Sequence, residues 1–229
     1  MFLKSDLFFP WLPGDKKLDR NRSFWYRDCC TGIKGVDSFL RSLYLGDTLF
    51  IVGDEGSGKT ALCVRMGLVS SRKSMKTLFC SSSKDGWQRF GKAGMREQDL
   101  KNLLVVNHRW NNMKHSPACD YGDRVFFTQH WYRTAKFIPD LLIYDGLSLS
   151  LCPVKTTKFI CSFQVLARKL SCVAVLTLYN GMLLNEMLNK QSYVIKLKSS
   201  VTNGLSVEQL RSRFCVYGGF TVPMVDGVI

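Results

Sequence analysis

Eight consecutive residues, Gly53-Asp54-Glu55-Gly56-Ser57-Gly58-Lys59-Thr60, carry the clearest chemistry in this chain. They follow the apolar run Thr48-Leu49-Phe50-Ile51-Val52 and precede Ala61-Leu62-Cys63-Val64-Arg65-Met66, an order that reads strand, glycine loop, helix. A phosphate chain needs several backbone N–H groups turned inward, and glycine lets a loop curl that tightly without a side chain in the way. The helix starting near Gly58 adds its positive end. Lys59 can then reach the β- and γ-phosphates while the Thr60 hydroxyl ligates Mg²⁺, so the segment reads as a nucleotide-binding P-loop.

A second signal is Leu141-Leu142-Ile143-Tyr144-Asp145, a buried strand that ends in a carboxylate. An aspartate at the C-terminal end of such a strand can support the Mg²⁺ bound by Thr60. Acidic residues after apolar strands are common. The position of Asp145, about 85 residues after Lys59, is what gives it weight.

The elements that must position these groups follow in order. A turn at Thr31-Gly32-Ile33 leads into a short amphipathic helix through Leu40, then the strand 48–52 and the loop. Strands are expected at 76–80, 103–106, 141–145, 173–178 and 193–197. Helices are expected over Gln98 to Leu103, Asp123 to Phe137 and Thr156 to Leu170, with a loop at 111–123. Strands alternating with helices through residue 178 imply a mostly parallel sheet with its ligand at the strands' C-terminal ends. The end of the chain reads as an antiparallel hairpin turning at Gly218-Gly219, between Arg211–Tyr217 and Phe220–Val222.

At 229 residues the chain has room for one α/β domain plus a short appendage. Residues 1–28 form that appendage, an extension rich in aromatics that include Phe8, Phe9 and Trp11; residues 29–229 form the nucleotide-binding domain. Thirty-two Lys plus Arg against 18 Asp plus Glu give a net charge of +14, which favours a polyanionic partner, nucleic acid first. The nine cysteines are odd in number and irregularly spaced, and Cys80, Cys161, Cys172 and Cys215 lie in apolar runs, so they read as reduced, mostly buried thiols. No apolar run approaches the roughly 20 residues that span a bilayer, which argues against a membrane partner.

With these elements in order, the chain resembles the ATPase core of the RecA-type recombinases, and in particular the small eukaryotic recombinase paralogues. Thr31-Gly32-Ile33-Lys34-Gly35-Val36-Asp37 is similar to the family's entry segment before the P-loop. Asp140-Leu141-Leu142-Ile143-Tyr144-Asp145-Gly146-Leu147 is similar to its metal-supporting strand, and Leu166-Ala167-Arg168-Lys169-Leu170 through Val175-Leu176-Thr177 to a later helix and strand. The resemblance implies a RecA-like P-loop ATPase core, a mostly parallel sheet with helices on both faces. It implies ATP and Mg²⁺ as ligands, held by residues 53–60 and by Asp145. It also implies a nuclear protein of homologous recombination and DNA repair that binds single-stranded or branched DNA and a recombinase or paralogue subunit.

The departures from the family pattern bear on mechanism. Where active recombinases place a water-activating glutamate, this chain has Ser81-Ser82-Ser83-Lys84-Asp85, leaving Asp85 as the one replacement base and weak hydrolysis as the expectation. The family's Asn-Gln after a later strand is matched by Leu178-Tyr179. By the same resemblance, Lys155 and Lys158 fall in one loop facing DNA and Lys190 in another. Two other classes compete: a non-hydrolysing P-loop scaffold, and a P-loop small-molecule kinase, against which the apolar-polar stretch Leu147-Ser148-Leu149-Ser150-Leu151 stands where a basic lid is needed.

Overall fold

The computed structural model describes residues 31, 33–40, 43–81, 86–107, 138–147, 153–179, 193–198, 204–211, 216–217 and 219–223. The aromatic extension, Asp85, Lys190, the segment 108–137 and the fourth-strand exit at 148–152 lie outside them.

In chain order the elements are α1 (Lys34–Leu40), β1 (Thr48–Val52), α2 (Lys59–Arg72), β2 (Thr77–Ser81), α3 (Gly86–Lys92), a 3₁₀ turn (Glu97–Lys101), β3 (Leu103–Asn107), β4 (Leu141–Leu147), α4 (Pro153–Leu170), β5 (Val173–Leu178), β6 (Tyr193–Lys198), β7 (Gly204–Arg211), β8 (Val216–Tyr217) and β9 (Phe220–Pro223). They build one sheet in the order β3-β2-β4-β5-β1-β6-β7-β8, with β9 also on β7. The neighbours from β3 through β6 run parallel, and β7 then pairs antiparallel with β6, β8 and β9. The α/β class and the mostly parallel sheet therefore match the sequence pattern.

Continuous apolar runs in the central strands follow from burial on both faces. Leu49, Ile51, Phe79, Ile143, Val175 and Ile195 pack under α1, α2 and α3. The alternate residues Phe50, Val52, Leu142, Tyr144, Ala174 and Leu176 pack under α4. α2 lies close to the sheet because Gly67 leaves its inner face bare: a Cβ there would stand 3.3 Å from the Phe90 ring and 3.7 Å from Ile143. The same ring meets Phe79 edge-on at 4.8 Å, so α3, which the sequence pattern had not suggested, is held by Phe90.

The entry segment ties itself to α2. The Thr31 N–H and hydroxyl both donate to Asp37 Oδ1, while Arg65 Nε donates to the Thr31 carbonyl. These three bonds give Thr31 and Asp37, the ends of that segment, a structural role.

Two expectations are corrected. The C-terminal strands are antiparallel as expected, but β8 and β9 pair with β7 and not with each other as the two arms of a hairpin. The register that pairs Leu210 with Tyr217 continues unchanged to Val207 with Phe220, so β8 and β9 lie along one line against β7 and Gly219 falls opposite Glu208. Glu208 is the extra residue where the β6–β7 register shifts, between Lys196↔Gln209 and Leu197↔Val207. A Cβ on Gly219 would sit 2.3 Å from the Val207 carbonyl oxygen and 2.7 Å from that of Glu208, so this glycine marks a close approach, not a turn. Secondly, α4 begins at Pro153, a residue suited to the first helical position, so Lys155 and Lys158 are helical and not in a loop. Among the thiols, Cys63, Cys80 and Cys172 are buried as expected, but Cys161 is exposed on α4.

Gly219→Ala should lower stability by about 1–3 kcal/mol, because the clash is with backbone that cannot rotate away. Urea denaturation measures it; an unchanged midpoint would show that β7 and β9 separate easily at this point.

Candidate functional site

The sheet's C-terminal edge gathers polar groups on the face covered by α2. β1 ends at Val52, and Gly53 N donates to the Leu178 carbonyl of β5 at 3.2 Å, so the loop begins by turning over its neighbour. Gly53 can bear no side chain, since a Cβ would lie 2.5 Å from Ser57 Oγ and 2.7 Å from the Leu197 carbonyl oxygen. Gly56 and Gly58 have φ of 76° and 89°, left-handed values that favour glycine. Gly58 is also the N-cap of α2 and offers no side-chain cap. The first amides of a 14-residue helix are therefore uncovered by any side chain of their own, beside a Ser57 Oγ that is buried and has no hydrogen-bond partner. That is a cradle of donors of the kind that receives anionic oxygens.

Lys59 opens α2 and is buried. Its Nζ donates to the carbonyls of Gly53 at 2.7 Å and Asp54 at 2.6 Å, and stands 4.6 Å from the centroid of the Tyr179 ring. Burial pulls its pKa below the ordinary lysine value; the negative charges of Asp145, Asp54 and Glu55 oppose the shift.

Asp145 reaches the same place from β4. The β4–β5 register shifts between Tyr144↔Leu176 and Leu147↔Leu178, so Asp145 and Gly146 together face Thr177. Gly146, at φ 95°, allows the bulge. Thr177 Oγ1 accepts from Gly146 N at 2.6 Å and donates to Asp145 Oδ1 at 2.9 Å, fixing the carboxylate. The Thr60 side chain lies near enough to Asp145 to favour its ionised form. Burial raises the Asp145 carboxyl above its ordinary value; the side chains of Thr60 and Thr177 and the charges of Arg89 and Lys59 pull the other way. Cys63, one turn along α2 from Lys59, is pushed far up by burial first and by Asp145 second, so its thiol stays protonated and unreactive.

Residues 53–60 and Asp145, singled out from sequence, are thus brought together. Lys155 and Lys158 lie on the first turns of α4, and Lys190 and Asp85 fall outside the described residues. β2 ends at Ser81, whose register partner on β4 is Asp145, so a serine occupies the row where an acid is expected. Sequence reading had not selected Thr177 or Tyr179 as site residues. Thr177 was readable in principle, as a hydroxyl in the otherwise apolar run 173–178. Among the described residues no group of three or more His, Cys, Asp or Glu could hold a metal by itself; Thr60 and Asp145 offer two oxygens that would need further ligands. No described helix is long and apolar enough to cross a membrane.

Compared with protein-family models and with curated proteins, the chain gives no match.

Because burial raises the Asp145 pKa, the folded state holds this proton more tightly than the unfolded one, and ionisation at neutral pH opposes folding. The penalty is absent below the unfolded carboxyl value of about 3.9 and complete above the folded one. Asp145→Asn should accordingly raise the ligand-free Tm at pH 7, with the gain shrinking as pH falls toward about 4. A lower Tm at pH 7 would mean that the partners of the carboxylate outweigh its burial.

Proposed function

We propose that the chain is an ATP-binding member of the RecA-type recombinase class, working as a paralogue in homologous recombination and DNA repair. The observation that carries the reading is the meeting, at one sheet edge, of a three-glycine loop, an uncapped helix N-terminus, Lys59, and an Asp145 carboxylate held by Thr177 close to Thr60. Uncapped amides and the orphaned Ser57 hydroxyl suit phosphate oxygens. Mg²⁺ commonly takes one or two protein oxygens and completes its shell with water and phosphate, a demand that the Thr60 and Asp145 pair fits. When bound, the ion would neutralise charge on the phosphate chain. Lys59 supplies the fixed cation, the glycines let the backbone approach, and Thr177 holds the Asp145 carboxylate in place.

A nuclear role on DNA with a recombinase-like partner is part of the same proposal. Its support is the family-like sequence segments and the +14 charge, which favours sequence-independent contact with single-stranded or branched DNA. A second reading, a scaffold that binds ATP without turnover, draws on one observation: Ser81 stands beside Asp145 at the end of β2, and serine is no general base at neutral pH.

Lys59→Ala removes charge-assisted contacts worth about 1.5–3 kcal/mol each, so Mg·ATP affinity should fall by roughly 100-fold or more in a calorimetric titration. Wild-type affinity in that variant would end the P-loop reading. Turnover should lie roughly 10²–10⁴ below that of a base-assisted ATPase, with and without single-stranded DNA. Rapid DNA-stimulated phosphate release would instead require a base, and its loss in Asp85→Ala would locate that base.

A further inference from the structure

Groups of the chain itself surround the Lys59 ammonium. Two of its N–H groups are taken by loop carbonyls, Gly53 at 2.7 Å and Asp54 at 2.6 Å, and the Tyr179 ring lies 4.6 Å from Nζ, within cation–π range. Carbonyls on one side and a π face on the other replace the water that a buried ammonium has lost. Tyr179 is the first residue beyond β5, the strand that stands between β1 and β4 and carries Thr177. The ring is therefore set by the same strand that orients Asp145.

We infer that Tyr179 is a positioning residue that latches Lys59 across the ligand-free loop through its ring face, so that an incoming phosphate chain must compete with the latch for the ammonium. This rests on the nucleotide reading of the loop. The competition has a physical basis. A ring face is electron-rich and attracts the ammonium, but it repels a phosphate oxygen brought to the same side. Moving Lys59 onto a phosphate breaks the ring contact and the two carbonyl bonds together. The latch keeps the lysine in place, inside the loop, at the expense of affinity.

Two measurements test it, one without nucleotide. In the ligand-free protein, urea midpoints of wild type, Tyr179→Leu, Lys59→Met and the double variant form a cycle. Tyr179→Leu should lower the midpoint clearly in the wild-type background and much less in Lys59→Met, while Tyr179→Phe, which keeps the ring face, should match wild type. In Mg·ATP titrations, Tyr179→Leu should bind about two- to fivefold more tightly, the equivalent of losing one modest cation–π contact from the free state, and Tyr179→Phe should again match wild type. Additive effects in the cycle, unchanged or weaker ATP binding by Tyr179→Leu, or a phenylalanine variant that behaves like leucine would each overturn the latch. Failure of the wild type to bind ATP would sink the nucleotide reading, and the ligand-free cycle would still decide whether Tyr179 holds Lys59.

Discussion

Everything at the edge of this sheet is arranged around one electrostatic problem: a lysine and an aspartate are both buried within the same small region. Neither charge is tolerable there alone. Lys59 is met by two carbonyls and an aromatic face, Asp145 by the Thr177 hydroxyl, and each lies in the other's field. The surrounding geometry serves these contacts. The loop must curl so that its carbonyls reach Nζ, and β4 must bulge so that Asp145 and Gly146 share Thr177. A core packed on both sheet faces then holds these pieces in register.

The loop also depends on strands that contribute no chemistry. Gly53 is pressed against the Leu197 carbonyl of β6, and Gly58 against the Leu205 side chain of β7, 2.8 Å from where a Cβ would stand. The antiparallel side of the sheet is thus the floor on which the donor cradle rests. The bulge at Glu208, with Lys196 paired to it at 3.2 Å, shapes that floor.

Much of this was legible in the residues. Strand, glycine loop and helix from 48 to 72, and the buried strand ending in Asp145, announce themselves because their signals are local: continuous apolar runs, glycines at fixed spacing, a carboxylate at a strand's end. What was missed depends on neighbours distant in sequence. Thr177 matters only because β5 lies beside β4, and Tyr179 only because β5 also lies beside β1. Gly219 was read as a turn because glycine pairs usually signal one. Its actual role is imposed by Glu208 across the ladder, and no local pattern reveals a clash with another strand's backbone. Lys155 and Lys158 were assigned to a loop from resemblance, while Pro153 pointed locally to a helix start.

The strand order has a consequence for how the chain comes together in time. β1, which leads into the loop, pairs Thr48 with Ala174 and Leu49 with Tyr193, and has no partner nearer in sequence. During synthesis the first strand must wait, with its apolar run unpaired, until more than half of the polypeptide has followed it. Such late closure slows folding, because the entropy of a long loop is lost before the contacts that offset it form. It also makes Thr48–Val52 the stretch that a nascent chain most needs to keep from sticking elsewhere. The arrangement that places the loop in the middle of the sheet also makes it one of the last parts of the molecule to be completed.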